Sequence, residues 1–391
     1  MIKRILNIPI QSKYSFFLWG PRQIGKSSLL KKLFPNALYI DLLLSENFIE
    51  YSTYPSKLRE KIIALKTKPA LVIIDEIQKI PALLDEVHYL IENENIRFGL
   101  CGSSARKLKR NHANLLGGRA VRYELYGLVS KELDFKIDLP RLINHGQIPR
   151  HYLEDSPNLL LRSYVSDYLK EEIAAEGLVR NLPKFARFLE VAAIGDTQIL
   201  NYTKIAEDCG VSAITVKDYY SILEDTIVGS YLYAYAKAKK RKLVQAPKFY
   251  MFDTGVVRSL SKRTNIVLGT IESGPALENY LHHEIKAYSR YSEKYFDISY
   301  WKLLEKNNIE VDFILGDMEI AVECKTTTNV AGSHLKSLYE LGRECPKVKR
   351  KIIVCLERNR RIINNQGSIS ERIEVIPISE FLEELWNGDI I

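Results

Sequence analysis

Cysteine is scarce in this 391-residue chain: five residues, at 101, 209, 324, 345 and 355, with no closely spaced pair of the kind that clips zinc. The scatter and the odd total argue against a disulfide scaffold, and reduced thiols are the natural reading. No apolar run approaches membrane-spanning length. The opening stretch, MIKRILNIPI, has basic residues but no sustained apolar stretch and no small-residue cleavage site. A cytoplasmic protein with no membrane partner is therefore expected. Neither a repeat nor a low-complexity linker interrupts the first 135 residues. Charge excess is modest, +8 with a pI near 9.0, which suggests an anionic partner without requiring one. The length is that of two or three domains, each with its own core.

What is present begins with GPRQIGKSSLL at 20–30. Gly20, four residues, then Gly25, Lys26 and Ser27 fit the spacing of a phosphate-binding loop. Each part has a reason. Glycines let the backbone N–H groups curl toward phosphate oxygens, the Lys26 ammonium reaches the β and γ phosphates, and the Ser27 hydroxyl ligates Mg2+. Pro21, Arg22, Gln23, Ile24 and Ser28 complete the candidate nucleotide contacts. An apolar run, YSFFLW, precedes the loop and a helix pattern follows, with its positive end toward the phosphates. The partner motif is LVIIDE at 71–76, short and β-branched like a buried parallel strand. Asp75 would hold Mg2+ through water and Glu76 would polarise the attacking water, a pairing made for hydrolysis rather than storage.

Two further stretches bear on this site. IRFGLCGSSARKL at 96–108 reads as a strand ending in Gly102, Ser103 and Ser104, and in a parallel sheet that end faces the ligand crevice. Ser103 or Ser104 would contact the γ phosphate or the water; the competing role is a helix cap. In LLGGRAVRYEL at 115–125, Arg119 after two glycines is the leading candidate for an arginine finger, in cis or from a neighbouring subunit of a homo-oligomer, with Arg106 and Arg122 as rivals. Short apolar strands at 16–19, 37–41, 71–75, 97–101 and 120–126 alternate with helix patterns. This is the sequence form of an α/β P-loop NTPase, a parallel sheet with helices on both faces.

After residue 135 the pattern turns mainly helical. The stretch 200–235 offers the helix YTKIAEDC, a turn near Gly210, and the helix AITVKDYYSILEDT capped by Ser212. That is helix-turn-helix geometry. Two strand-like runs then flank KAKKRKLVQAPK at 237–248 and form a wing, so the cations Lys237, Lys239, Lys240, Arg241, Lys242 and Lys248 fall at a hairpin tip. Lys239, Lys240, Arg241 and Lys242 are the candidate nucleic-acid contacts, on phosphate rather than base edges. The bland alternative is a solvated loop.

The last third carries NNIEVDFILGDMEIAVECKTTTNV at 307–330, two strands joined at GDM. Alternation puts Glu323 and Lys325 on one face, either side of Cys324. Asp312 and Glu323 would ligate a divalent metal, with Lys325 orienting water or stabilising developing charge. Glu278, on the helix GPALENYLHHEIKAYSR, would complete the shell, ahead of Glu284. The competing reading is a salt-bridge ladder. Charges on such apolar strands need partners or a metal.

Taken in order, GPRQIGKSSL, VIIDEIQKIP, GSSARKL, GGRAVRYEL, FDTGV, ENYLHHEI, EVDFIL and VECK resemble bacterial and archaeal AAA-type P-loop ATPases that carry a C-terminal domain of unknown function. The resemblance implies ATP rather than GTP, with Mg2+. It also implies a winged-helix middle segment and a PD-(D/E)xK, restriction-endonuclease-like α/β tail, with DNA a better partner than RNA. The boundaries expected are 1–135, 136–265 and 266–391.

Overall fold

The computed structural model describes residues 2–104, 106, 108, 116–173, 179–235, 246–303, 309–364 and 372–391, without the side chains of 170–172. Strands β1 (Ser15–Trp19), β2 (Leu38–Asp41), β3 (Leu71–Asp75), β4 (Arg97–Gly102) and β5 (Ala120–Glu124) form one sheet in the order β2-β3-β4-β1-β5. Every pairing is parallel. β1, β3 and β4 are buried at each position, which is why they read as unbroken apolar runs, whereas the edge strands β2 and β5 are partly exposed. Side chains alternate between the two faces. Phe17 and Trp19 pack with Ile74, Val87 and Leu90 on one side; Phe16 and Leu18 pack with Leu30 and Ile73 on the other.

The second of these cores does not stop at the sheet. It runs on into Phe185, Phe188 and Tyr220 of the middle segment, so the helices there are seated on the nucleotide-loop side of the first unit. Those helices span 182–194, 202–209 and 213–225. Gly210 at φ 62 closes the second, and the Ser212 hydroxyl accepts from Thr215 N–H to open the third. The amphipathic stretch from Asn158 is helical to Ser163 and continues with π-helical geometry over Tyr164–Glu172. β6 (Gly229–Leu232) and β7 (Lys248–Met251) then form an antiparallel hairpin. The residues 236–245 between them, which include Lys239, Lys240, Arg241 and Lys242, lie outside the described residues.

The C-terminal unit is a mixed six-stranded sheet in the order β12-β13-β11-β10-β9-β8. Its strands are β8 (Ile298–Lys302), β9 (Glu310–Leu315), β10 (Ile320–Cys324), β11 (Arg350–Cys355), β12 (Arg361–Ile363) and β13 (Ile373–Pro377). β10–β11 and β11–β13 are parallel and the remainder antiparallel. The helix Ser273–Tyr291 packs on this sheet, and residues 128–152 join the same core through Leu128, Leu142, Ile143 and Tyr152. A buried carboxylate fixes this junction. Glu284 accepts from Ser130 N (2.6 Å), Ser130 Oγ (3.0 Å), Tyr280 Oη (2.7 Å) and Trp386 Nε1 (2.7 Å). Burial pushes its carboxyl up to about 7, with these donors opposing. All five cysteines are buried and free. Among the described residues, no helix is long and apolar enough to cross a membrane.

Candidate nucleotide site and C-terminal carboxylate cluster

β1 delivers the loop 20–25 to the carboxyl end of the sheet, and β3 delivers Asp75 and Glu76 to the same end, one strand removed, with β4 between them. The loop needs unusual backbone at two points: Gln23 has φ 64 and Gly25 has φ 93. Gly20 is needed for space, because a Cβ there would sit 2.5 Å from Leu125 O. Lys26 is 6% exposed and donates to Gly20 O (2.8 Å) and Pro21 O (2.7 Å). Burial lowers its pKa, and Glu76 and Asp75 act against that shift. Ser27 Oγ donates to Asp75 Oδ2 at 2.6 Å. A hydroxyl against a carboxylate is a hard-oxygen pair that suits Mg2+, so these residues fit the ion implied by the motif.

The acidic end of β3 is held from two sides. Tyr39 Oη donates to Asp75 Oδ2 at 2.6 Å from the neighbouring strand. Glu76 sits in the left-handed region, φ 58, and its Oε2 accepts from Gln78 Nε2, which also reaches Ser103 Oγ at 3.1 Å. Glu76, Gln78 and Ser103 are all buried. The structure thus brings Ser103 beside the acids, while Ser104 Oγ accepts from Arg106 N–H at 3.2 Å. Pro21 and Ile24 are buried under the loop; Gln23 and Ser28 are exposed. Arg22 lies with Cζ 5.3 Å from the centre of the Tyr168 ring, so the loop touches the middle segment.

Arg119 is not brought to the loop. β5 runs parallel to β1 with Ala120 opposite Ser15 and Glu124 opposite Trp19, so Arg119 lies at the far end of the strands from the crevice. There it is half-buried and paired with Glu92. At about 3.3 Å per residue the separation along the strand is roughly 16 Å, too far for a finger within the same chain. Arg122 is exposed on β5. Arg106 is 9% exposed and its Nη1 meets Asp225 Oδ2 at 2.7 Å, tying the end of β4 to the helix 213–225.

Glu278, Asp312, Glu323 and Lys325 do converge, but around a second lysine. Lys248 was expected at an exposed hairpin tip; it lies on β7 and is 2% exposed. Its Nζ is 2.9 Å from Glu278 Oε1, 2.5 Å from Glu310 Oε1 and 3.9 Å from Asp312 Oδ1. Tyr250, two residues on and so on the same face of β7, donates to Glu278 Oε1 at 2.5 Å. Asp312 Oδ2 accepts from Cys324 N–H at 2.8 Å, and Lys325 Nζ donates to Glu323 Oε1 at 2.6 Å. Burial alone would lower the pKa of Lys248; Glu278, Asp312 and Glu310 outweigh it and keep the ammonium charged. Burial raises the Glu323 carboxyl, Asp312 adds to the rise, and Lys325 opposes it. Among the described residues, no group of three or more His, Cys, Asp or Glu side chains is set to hold a metal, and the Lys248 ammonium lies beside the expected ligands Glu278 and Asp312.

Tyr39, Gln78, Glu310 and the buried role of Lys248 escaped the sequence reading. Tyr39 reaches Asp75 from the neighbouring strand, and Gln78, two residues after Glu76, reaches Ser103 across strands. Lys248 opens the strand Lys-Phe-Tyr-Met, which is buried at every position.

With this geometry in place, comparisons with known proteins bear on each part. Residues 12–133 match a family model described as AAA domain. Residues 136–266 and 273–381 match two models, each described as a domain of unknown function (DUF8612 and DUF4143). The chain is 26% identical over 252 residues to Uncharacterized protein Rv2008c of Mycobacterium tuberculosis and equally to Uncharacterized protein Mb2031c of Mycobacterium bovis, covering 62% of this chain. It spans 55% of the length of these curated relatives. Among solved structures, the Aeropyrum pernix ORC1 protein in complex with DNA is 12% identical, with 64% of this chain and 86% of that chain covered, at a TM-score of 0.29. Domain III of the Thermotoga maritima replication initiation protein DnaA is 20% identical, with 56% and 86% covered, at 0.26. A signal transduction ATPase with numerous domains from Pyrococcus horikoshii is 14% identical, with 73% and 46% covered, at 0.20. Those TM-scores are too low to transfer anything. The AAA match and the five-stranded parallel sheet together support a P-loop ATPase domain of the AAA type in the first third of the chain.

Proposed function

We propose that this protein binds and hydrolyses ATP with Mg2+, and that the nucleotide state is passed to the middle and C-terminal units. The observation that carries the first half is the assembly of Lys26, Ser27, Asp75, Glu76 and Ser103 at one end of the sheet. In this reading the loop from Gly20 to Ser28 binds the phosphates and Lys26 leaves its two carbonyl partners to meet them. Ser27 and Asp75 hold Mg2+, which would supply charge neutralisation at the phosphates. Glu76, held by Gln78, accepts the proton of the attacking water. Two contacts support transmission: Arg22 on the Tyr168 ring, and Arg106 on Asp225.

We further read the helices 202–209 and 213–225 with the β6–β7 hairpin as a winged helix that contacts DNA phosphates, with Lys239, Lys240, Arg241 and Lys242 as the contacts. The three units follow the boundaries 1–135, 136–265 and 266–391. The C-terminal unit is read as nuclease-like in pattern. The lysine-centred carboxylate cluster favours its use as a non-cleaving platform, in which the ATPase acts as a switch. An Arg119 finger would come from a neighbouring copy in a homo-oligomer.

The test is equilibrium binding of a fluorescent ATP analogue. Lys26→Ala should abolish tight binding while leaving the melting profile cooperative; retained binding would remove Lys26, and the loop reading with it. Alanine at the four basic positions 239–242 should weaken DNA binding and flatten its salt dependence.

A further inference from the structure

The carboxylate cluster of the C-terminal unit is closed by a residue that does not belong to that unit. Lys248 comes from β7, and three neighbours fix it there. Tyr300 of β8 lies under the ammonium, 5.7 Å from ring centre to Nζ, and its Oη donates to Ala246 O at 2.7 Å. Ile199 bridges to Lys248 through the backbone. Asp196 ties β7 to the helix 273–291 by accepting from Met251 N–H (2.8 Å) and Asn279 Nδ2 (2.7 Å).

The cluster gathers four carboxyl groups around two lysines. Glu278, Glu310, Asp312 and Glu323 face Lys248 and Lys325, with Lys302 reaching Glu310 from the rim at 3.8 Å. Independently of that count, Glu323 is 4% exposed and its Oε2 has no hydrogen-bond partner, an oxygen buried without a donor. Such an atom is costly to leave unmet. The Lys248 ammonium lies within 4 Å of three of these side chains, Glu278, Glu310 and Asp312.

We propose that Lys248 occupies the cation position of this cluster, so that a divalent metal enters only when β7 withdraws or the lysine is lost. The middle segment then acts as a plug on the C-terminal unit, and whatever moves the β6–β7 hairpin controls the site. This rests on reading Asp312, Glu323 and Lys325 as a metal-site pattern.

The experiment is a Mn2+ titration of the full chain, followed by electron paramagnetic resonance, without nucleotide and in an Asp75→Asn background that removes the loop's own Mg2+ ligand. Lys248→Met keeps the aliphatic stem and deletes the charge; Lys248→Gln serves if the methionine variant does not fold. A like charge this close is worth roughly 10- to 1,000-fold in cation occupancy. The background protein should bind no Mn2+ at the cluster. The lysine variant should bind one ion at least about 10-fold more tightly, and Asp312→Asn should abolish the gain. Asp312-dependent Mn2+ binding in the background protein would overturn the proposal, as would a folded lysine variant that binds none. DNA cleavage is scored separately: a variant that binds Mn2+ and leaves plasmid intact upholds the plug and sinks the nuclease-like reading alone.

Discussion

Replacing Gln78 by leucine isolates the part of the nucleotide site that only the structure reveals. Gln78 Nε2 bonds both Glu76 Oε2 and Ser103 Oγ, and all three side chains are buried. The amide orientation is set by its partner, since turning Oε1 toward Glu76 would oppose two acceptors. Glu76 itself stands at φ 58, a backbone conformation that an ordinary residue adopts at some cost, so its carboxylate depends on neighbours for its aim. A buried hydrogen bond to a charged group contributes about 1.5–3 kcal/mol. At about 1.4 kcal/mol per factor of ten, Gln78→Leu should lower kcat for ATP hydrolysis by about 10- to 150-fold. The phosphates are gripped elsewhere, by Lys26 and the loop, so KM should stay within a few-fold. Steady-state phosphate release with ATP and Mg2+ reads both constants. Unchanged kcat would refute the positioning argument, and so would a loss confined to KM.

Two other perturbations follow from the same geometry. Gly20→Ala places a Cβ 2.5 Å from Ile24 Cδ1 and from Leu125 O, and that carbonyl belongs to a residue whose N–H donates to Trp19 O at 2.8 Å. The backbone cannot yield freely, so a loss of about 1–3 kcal/mol in denaturant unfolding is expected, with weaker nucleotide binding. His283 donates from Nε2 to Leu128 O at 3.0 Å, and burial lowers its pKa to about 4. A depressed pKa means stability present above the unfolded value of about 6.5 and lost as pH falls through about 4, worth about 3 kcal/mol for this group. The urea midpoint of His283→Gln should therefore fall less steeply than that of the unaltered protein between those pH values; parallel curves would contradict this.

Much of this molecule was legible in its sequence because its first sheet is central and parallel. β1, β3 and β4 are buried on both faces, so their apolar runs announce strands without any alternation to decode. Glycine spacing and the strand-final acids then located the loop, Asp75 and Glu76. Arg119 was misplaced for a reason of direction: in a parallel sheet the residue before a strand lies at the end opposite the crevice, and Arg119 precedes β5. Lys248 was misread because a run of cations looks solvated, while the period-two pattern that pairs it with Tyr250 lies just past that run. Tyr39 acts through a contact across strands, which no local pattern records, and Gln78 stands two residues after Glu76 but joins it to Ser103 only in the fold.

The central claim is ATP turnover at a site where Glu76 serves the attacking water. The most direct measurement is phosphate release by the full chain with ATP and Mg2+, beside Glu76→Gln, with retained nucleotide quantified in both. The account requires turnover in the unaltered protein and a loss of about 100-fold or more in the variant, which still holds ATP. Equal turnover in the two proteins, or none in the unaltered one, would contradict it.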